Sequence, residues 1–289
     1  MRTVYLGTSD FAATVLERLA GTSHRPALVV TRPDRPRGRG RRLAPPPVAE
    51  AARALELELH QPESVNSDEA RERIAAVRPD VVCVCAFGAL IREPLLSQHE
   101  MLNVHPSLLP RWRGAAPVER AIMAGDERTG VTILHVTAGL DSGPISLIGE
   151  EPIAPDDTYG TLAPRLRELG AELLIRTLDE RPEPVAQPEE GVTYADKIGP
   201  DDRTLDPQAP AAVNDRVVRA LSPHIGARVV LPGGGMLGVV RARPVSSQES
   251  GPLRADGGRL MLGGLELLDV QPAGGRPMDG AAFLRGHAL

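Results

Sequence analysis

The sequence predicts an α/β chain, with a mostly parallel sheet covered by helices on both faces, followed by a small antiparallel β unit. Three observations carry this reading. Over roughly the first half, short apolar runs alternate with segments of helical spacing, the pattern of strands joined by crossover helices. From about residue 205 onward, short apolar runs are separated by Gly-rich turns, PGGG at 232–235 among them. Between the two lies RPEPVAQPEE at 181–190, whose Pro and Glu content reads as the start of a linker. The expected organisation is an α/β domain at 1–180, a linker at 181–204 and a β-barrel domain at 205–289.

Each element has its own signal. Arg2–Gly7 is an apolar run ending in Gly, a strand. Ser9 or Asp10 then caps a helix whose apolar residues are Phe11, Val15, Leu16 and Leu19. Ala27–Thr31 is the next strand. Pro47–Leu57 and Asp68–Val77 are helices, and Val81–Phe87 is the most apolar strand. Met101–His105 is a strand, Pro117–Ala124 a helix and Gly130–Val136 a strand. A return strand at Ile145–Ile153 and a helix at about Thr158–Asp179 complete the first part, with Pro164 expected to mark that helix's start or a kink. The tail holds one helix, Ala209–Leu221, and four apolar runs at 227–231, 236–242, 260–262 and 265–270.

Composition narrows the function. No stretch approaches the roughly 20 apolar residues of a membrane span, and the N-terminus lacks a signal pattern, so a cytoplasmic location is expected. Two cysteines, Cys83 and Cys85, stand two apart on one strand and read as packed core thiols rather than as a bridge. The formal charge of −5 does not suit a generic nucleic-acid binder, so a polyanion must meet a local patch. Seven aromatic residues in all make base stacking an improbable binding mode.

The chemistry concentrates in MLNVHPSLLPRWRGAAP at 101–117. On a strand, Asn103 and His105 share a face, at the C-terminal end where open parallel sheets place ligands. An Asn amide can stabilise a developing oxyanion, and a His can relay a proton at neutral pH. In GLDSGP at 139–144 two glycines frame Asp141 in a tight turn. A carboxylate beside His105 would fix its tautomer and stabilise its protonated form. Such a set suits acyl-type transfer through a tetrahedral intermediate. With no Ser or Cys placed as nucleophile, the attacking group is an amine or water. In TRPDRPRGRGRRL at 31–43, six arginines accompany one acid, and the Gly and Pro residues argue against regular structure. This loop is expected to meet a phosphate backbone.

NVHPSLLPRWRGAAP together with GLDSG resembles the folate-dependent formyltransferase family. YLGTSDFA at 5–12, the arginine loop, TYADKI at 193–198 and LDVQPAGGRPM at 268–278 resemble the branch that formylates methionyl initiator tRNA. The resemblance spans nearly the whole chain. It implies a Rossmann-like catalytic domain followed by a small β-barrel resembling an OB-fold. It also implies 10-formyltetrahydrofolate as co-substrate, no metal, and a monomer. By position, it makes Asn103, His105 and Asp141 catalytic, puts folate at Ser107, Leu108, Leu109 and Pro110, and puts tRNA at Arg37, Arg39, Arg41 and Arg42. The triad alone leaves the acceptor open to another amine, or to water in a 10-formyltetrahydrofolate hydrolase. The tail departs from the family's pattern. It lacks Trp, has His224 and Ile225 where an aromatic residue is common, and its ten arginines face nine acids from 200 onward.

Overall fold

The computed structural model describes residues 1–37 and 42–287. In chain order the elements are β1 (Thr3–Gly7), α1 (Asp10–Ala20), β2 (Pro26–Val30), β3 (Arg35–Arg37), β4 (Arg42–Ala44), α2 (Pro47–Ala54) and β5 (Leu59–His60). There follow α3 (Asp68–Val77), β6 (Val81–Cys85), α4 (Leu95–Gln98), β7 (Met101–His105), β8 (Arg113–Gly114), α5 (Pro117–Ala124), β9 (Arg128–His135) and β10 (Ile145–Pro152). The remainder is α6 (Tyr159–Glu180), β11 (Tyr194–Ala195), α7 (Ala211–Leu221), β12 (Ala227–Val230), β13 (Met236–Pro244), β14 (Leu253–Asp256), β15 (Arg259–Leu262), β16 (Leu265–Gln271), β17 (Met278–Asp279) and α8 (Gly280–Gly286). No helix among the described residues is long and apolar enough to cross a membrane.

The contacts divide the chain into two compact units. One comprises Met1–Gly114, Thr129–Glu151 and Ala163–Tyr194; the other comprises Ala115–Arg128, Pro152–Leu162 and Ala195–Leu289. The first is built on a seven-stranded sheet in the order β10-β9-β7-β6-β1-β2-β5. The ladders from β5 through β2, β1 and β6 to β7 are parallel, and β9 joins β7 antiparallel. A strand covered on both faces must be apolar throughout, and β1 and β6 are buried at every position. Val4, Leu6, Leu28, Ile74 and Val82 belong to one core cluster of this sheet. Ser9 caps α1 by accepting from the Ala12 N–H, and Ser67 caps α3 in the same way. Gly170 of α6 lets that helix lie close to β7, since a Cβ there would stand 2.9 Å from Val104 Cγ1.

The second unit carries an antiparallel sheet in the order β12-β13-β16-β15-β14, with β17 on β16. Leu237, Val239, Leu265, Leu267 and Phe283 form its core with Leu221 of α7. The α/β part followed by an antiparallel β-rich tail is the architecture expected from the sequence. His224 stacks on Tyr159 with ring centroids 3.7 Å apart and meets Glu119 Oε1 at 2.9 Å, so an imidazole packs as an aromatic ring here. The tail's strand arginines are largely matched to neighbouring acids, Arg241 to Asp269 at 2.7 Å and Arg243 to Glu266 at 2.6 Å.

Two expectations are corrected. The arginine segment is not without regular structure: β3 and β4 pair antiparallel, Arg35 with Ala44 and Arg37 with Arg42. A two-stranded ribbon leaves each strand one open edge, so the N–H that Pro36 lacks need not be a ladder bond. Of the two readings of Pro164, the helix start is ruled out, since α6 begins at Tyr159 and runs through it. Cys83 and Cys85 are both free and buried. Burial pushes each thiol up to about 12. A thiolate-seeking reagent at pH 8 should therefore label neither cysteine in the native protein and both after denaturation. Native-state labelling of either, read by mass spectrometry, would contradict this packing.

Candidate active site

The site is assembled within the first unit, beginning at β7. Its ladder to β6 pairs Val84 with Asn103 and Cys85 with Val104. Leu102 and Val104 are buried, Asn103 is half-buried, and His105 is 4% exposed at the strand's C-terminal end. Period-two alternation puts Asn103 and His105 on one face, as expected.

The residues after β7 form a tight, internally bonded loop. The Ser107 hydroxyl donates to the Arg111 carbonyl at 2.7 Å. The Thr132 hydroxyl of β9 donates to the Ser107 carbonyl at 2.7 Å and accepts from the Leu109 N–H at 3.2 Å. Gly130 makes room for the loop, because a Cβ there would collide with Leu108 and with the Gly149 carbonyl of β10. The loop turns Trp112 into the left-handed region, φ +65°. Its carbonyl then lies 2.8 Å from His105 Nε2. A carbonyl only accepts, so Nε2 carries a proton. The tautomer is set by this backbone group rather than by Asp141, which corrects the expectation from sequence. The second ring nitrogen, Nδ1, lies 3.7 Å from Asp141 Oδ2.

Asp141 reaches that position by an indirect route. Because β9 runs antiparallel to β7 and pairs His135 with Leu102, β9 ends beside the start of β7 rather than beside His105. Residues 136–144 must fold back before β10 begins. The Val136 N–H bonds to the Met101 carbonyl and the His135 N–H to the Pro144 carbonyl, both within 2.9 Å. Gly143 is pressed against β9 so closely that a Cβ would overlap the His135 carbonyl. Asp141 has φ +44°. Its Oδ2 accepts from the Gly114 N–H at 2.9 Å, and its Oδ1 lies 3.4 Å from Asn103 Nδ2. Asn103, His105 and Asp141 thus converge, with the carboxylate side chain 17% exposed.

The remaining expected residues divide. Ser107 is fully buried and its hydroxyl serves the loop, Leu109 is buried, and Leu108 and Pro110 are half-buried. Arg37 and Arg42 pair through their backbones in the ribbon, while Arg39 and Arg41 lie outside the described residues. His135 stands apart from the triad: its Nε2 meets the Ser146 hydroxyl at 3.0 Å, and burial holds its imidazole below the usual range. Sequence reasoning missed the Trp112 carbonyl, the Gly114 N–H, Thr132 and Thr193, whose hydroxyl accepts from the Trp112 N–H at 2.9 Å. The backbone groups carry no side-chain signal, and the two threonines lie outside both motifs.

Residues 1–178 match the family described as Formyl transferase. The chain is 45% identical to the methionyl-tRNA formyltransferase of Halorhodospira halophila, over the whole chain and 97% of that protein. It is 41% identical to the enzyme of the same name from Dechloromonas aromatica, again over the whole chain and 97% of that protein. Among solved structures, the methionyl-tRNA formyltransferase of Clostridium thermocellum superposes with a TM-score of 0.62 at 13% identity, over 97% of this chain and all of that one. HypX from Aquifex aeolicus in complex with tetrahydrofolic acid gives a TM-score of 0.65 at 18% identity, over 98% of this chain and 47% of that longer one. At these identities the structural matches speak for the fold, while the family match and the full-length relatives establish that the chain belongs to the formyl transferase family.

Proposed function

We infer that this chain transfers the formyl group of 10-formyltetrahydrofolate to the α-amino group of methionyl initiator tRNA. The observation that carries this reading is the meeting of Asn103, His105 and Asp141 in a chain 45% identical, end to end, to a methionyl-tRNA formyltransferase. In this reading Asn103 presents a side-chain N–H to the formyl oxygen as charge develops on it. His105 takes the proton of the attacking amine at Nδ1, because Nε2–H is committed to the Trp112 carbonyl. Asp141 stabilises the resulting imidazolium and orients the ring's reactive edge. As the tetrahedral intermediate collapses, the bond from the formyl carbon to the folate nitrogen breaks and that nitrogen receives a proton. The amine has gained a formyl group and lost one proton.

The same reading puts folate along Ser107–Pro110, with Leu108 and Pro110 as an apolar margin for a flat heterocycle and Ser107 and Leu109 shaping the loop. Arg37, Arg39, Arg41 and Arg42 meet the tRNA backbone. The same reading takes 1–180 as the catalytic part, 181–204 as the connection and 205–289 as the tRNA-binding part, in a cytoplasmic monomer that acts without a metal.

The test is formyl transfer from 10-formyltetrahydrofolate with methionyl initiator tRNA, methionyl elongator tRNA and water competing. Faster formylation of the initiator is expected; folate product without formylated tRNA would indicate a hydrolase. Replacing the four loop arginines by Ala should raise the KM for charged tRNA and leave folate binding unchanged. The wild-type affinity should fall with salt with a log–log slope of roughly −0.7 to −0.9 per phosphate contact, and the variant's slope should be shallower. A tRNA affinity indifferent to salt and to these substitutions would remove the loop from the interface.

A further inference from the structure

Residues 183–190 are exposed with one exception, the half-buried Gln187. Its side-chain amide is fully engaged. Oε1 accepts from Arg113 Nε at 3.1 Å and from Arg113 Nη2 at 2.7 Å. A guanidinium has no acceptor, so this contact settles which end of the amide is oxygen. Nε2 then donates to the Asp141 carbonyl at 2.8 Å and to the Gly143 carbonyl at 2.9 Å. The amide ties the turn carrying Asp141 to Arg113, whose neighbour Gly114 supplies the N–H that Asp141 accepts. Nearby, the Val185 and Ile145 backbones exchange two hydrogen bonds of 2.7 and 2.8 Å, which anchors the segment to the start of β10.

We propose that Gln187 is a positioning residue, its amide clamping the 139–143 turn to Arg113 and so holding Asp141 where it meets Asn103 and His105. The turn needs such a hold. Asp141 adopts φ +44°, a left-handed conformation that costs an L residue free energy, less for Asp than for most, and that the clamp helps to hold. The residue type also fits the task. Glutamate would keep an acceptor for Arg113 but set a carboxylate oxygen against two carbonyl oxygens, and alanine would remove both ends of the clamp. Neither change touches Asp141's own bond to Gly114.

The proposal rests on the transfer reading, and the experiment separates the two. Steady-state kinetics would be measured for the wild type, Gln187→Ala, Gln187→Glu, Asp141→Ala and the double variant Gln187→Ala with Asp141→Ala. Both Gln187 variants should lower kcat by about tenfold to a hundredfold, the usual scale for sub-ångström to ångström misplacement, with the KM for folate little changed. In the Asp141→Ala background the Gln187→Ala change should have no further effect, because the group it positions is gone. A Gln187→Glu variant with wild-type kcat would overturn the proposal. So would a Gln187→Ala loss of the same factor in both backgrounds. A wild type that transfers no formyl group would overturn the transfer reading instead. In that case the ¹⁵N shifts of the His105 imidazole read Asp141's position directly: a change on Gln187→Ala is expected, and unchanged shifts would overturn the clamp.

Discussion

His105→Ala and Asn103→Ala should each lower kcat by about a hundredfold or more, with the KM for either substrate changed far less. One preorganised oxyanion donor is worth roughly 3–4 kcal/mol of transition-state stabilisation, and removing a general base costs a comparable factor. The asymmetry between kcat and KM follows from where the two side chains stand. They lie at the end of β7, whereas the proposed substrate contacts come from Leu108 and Pro110 and from the arginine ribbon. Asn103→Asp is the sharper control. It keeps the size of the side chain but replaces a donor by an acceptor 3.4 Å from Asp141 Oδ1. Two carboxylates at that distance disfavour each other's ionised form. The Asp variant should therefore be at least as impaired as the Ala variant at neutral pH. A His105→Ala enzyme within threefold of wild type in single-turnover formylation would remove His105 from the chemistry.

The parts of this site that the sequence discloses are those written in side chains at a regular period. Met101–His105 is bounded by its own apolar pattern and by Pro106, so the shared face of Asn103 and His105 is legible in the sequence. The Asp141 turn announced itself through its two glycines, but its route did not. Nothing in the residues states that β9 runs antiparallel to β7 and that residues 136–144 must therefore fold back. The tautomer is hidden from the sequence for a related reason. The group that sets it is the Trp112 carbonyl, and every residue carries a carbonyl. The same holds for the Gly114 N–H on Asp141. Short elements such as β5, β8 and β11 escaped because two residues cannot display a period. The β3–β4 ribbon escaped because the prolines and glycines of 31–43 argue locally for a loop, while a ribbon with open edges tolerates Pro36.

Gly143→Ala should disable the enzyme although Gly143 contributes no side chain to the chemistry. A Cβ at this position overlaps the His135 carbonyl, a backbone atom of β9 that cannot rotate away. The strand is also pinned at this point, since the His135 N–H bonds to the Pro144 carbonyl at 2.8 Å. Relief therefore has to come from the turn itself, and moving the turn disturbs two things together. It pulls the Gly143 and Asp141 carbonyls away from Gln187, and it withdraws the Asp141 carboxylate from His105 Nδ1. Overpacking of this kind costs about 1–3 kcal/mol of stability, which a thermal melt or a denaturant midpoint would register. The larger effect should fall on turnover, with a kcat loss of about a hundredfold from displacement of a positioned group by about 1 Å. Gly139 provides the comparison, because the nearest atom to a Cβ there is the Ser142 hydroxyl, the free end of a small side chain. A Gly139→Ala, Ser142→Ala double variant removes that obstacle and should retain most activity, whereas Ser142→Ala should not rescue Gly143→Ala. Equal tolerance of alanine at both glycines would mean that the turn is not held against β9, and that Asp141 is positioned by some contact other than those of Gly114 and Gln187.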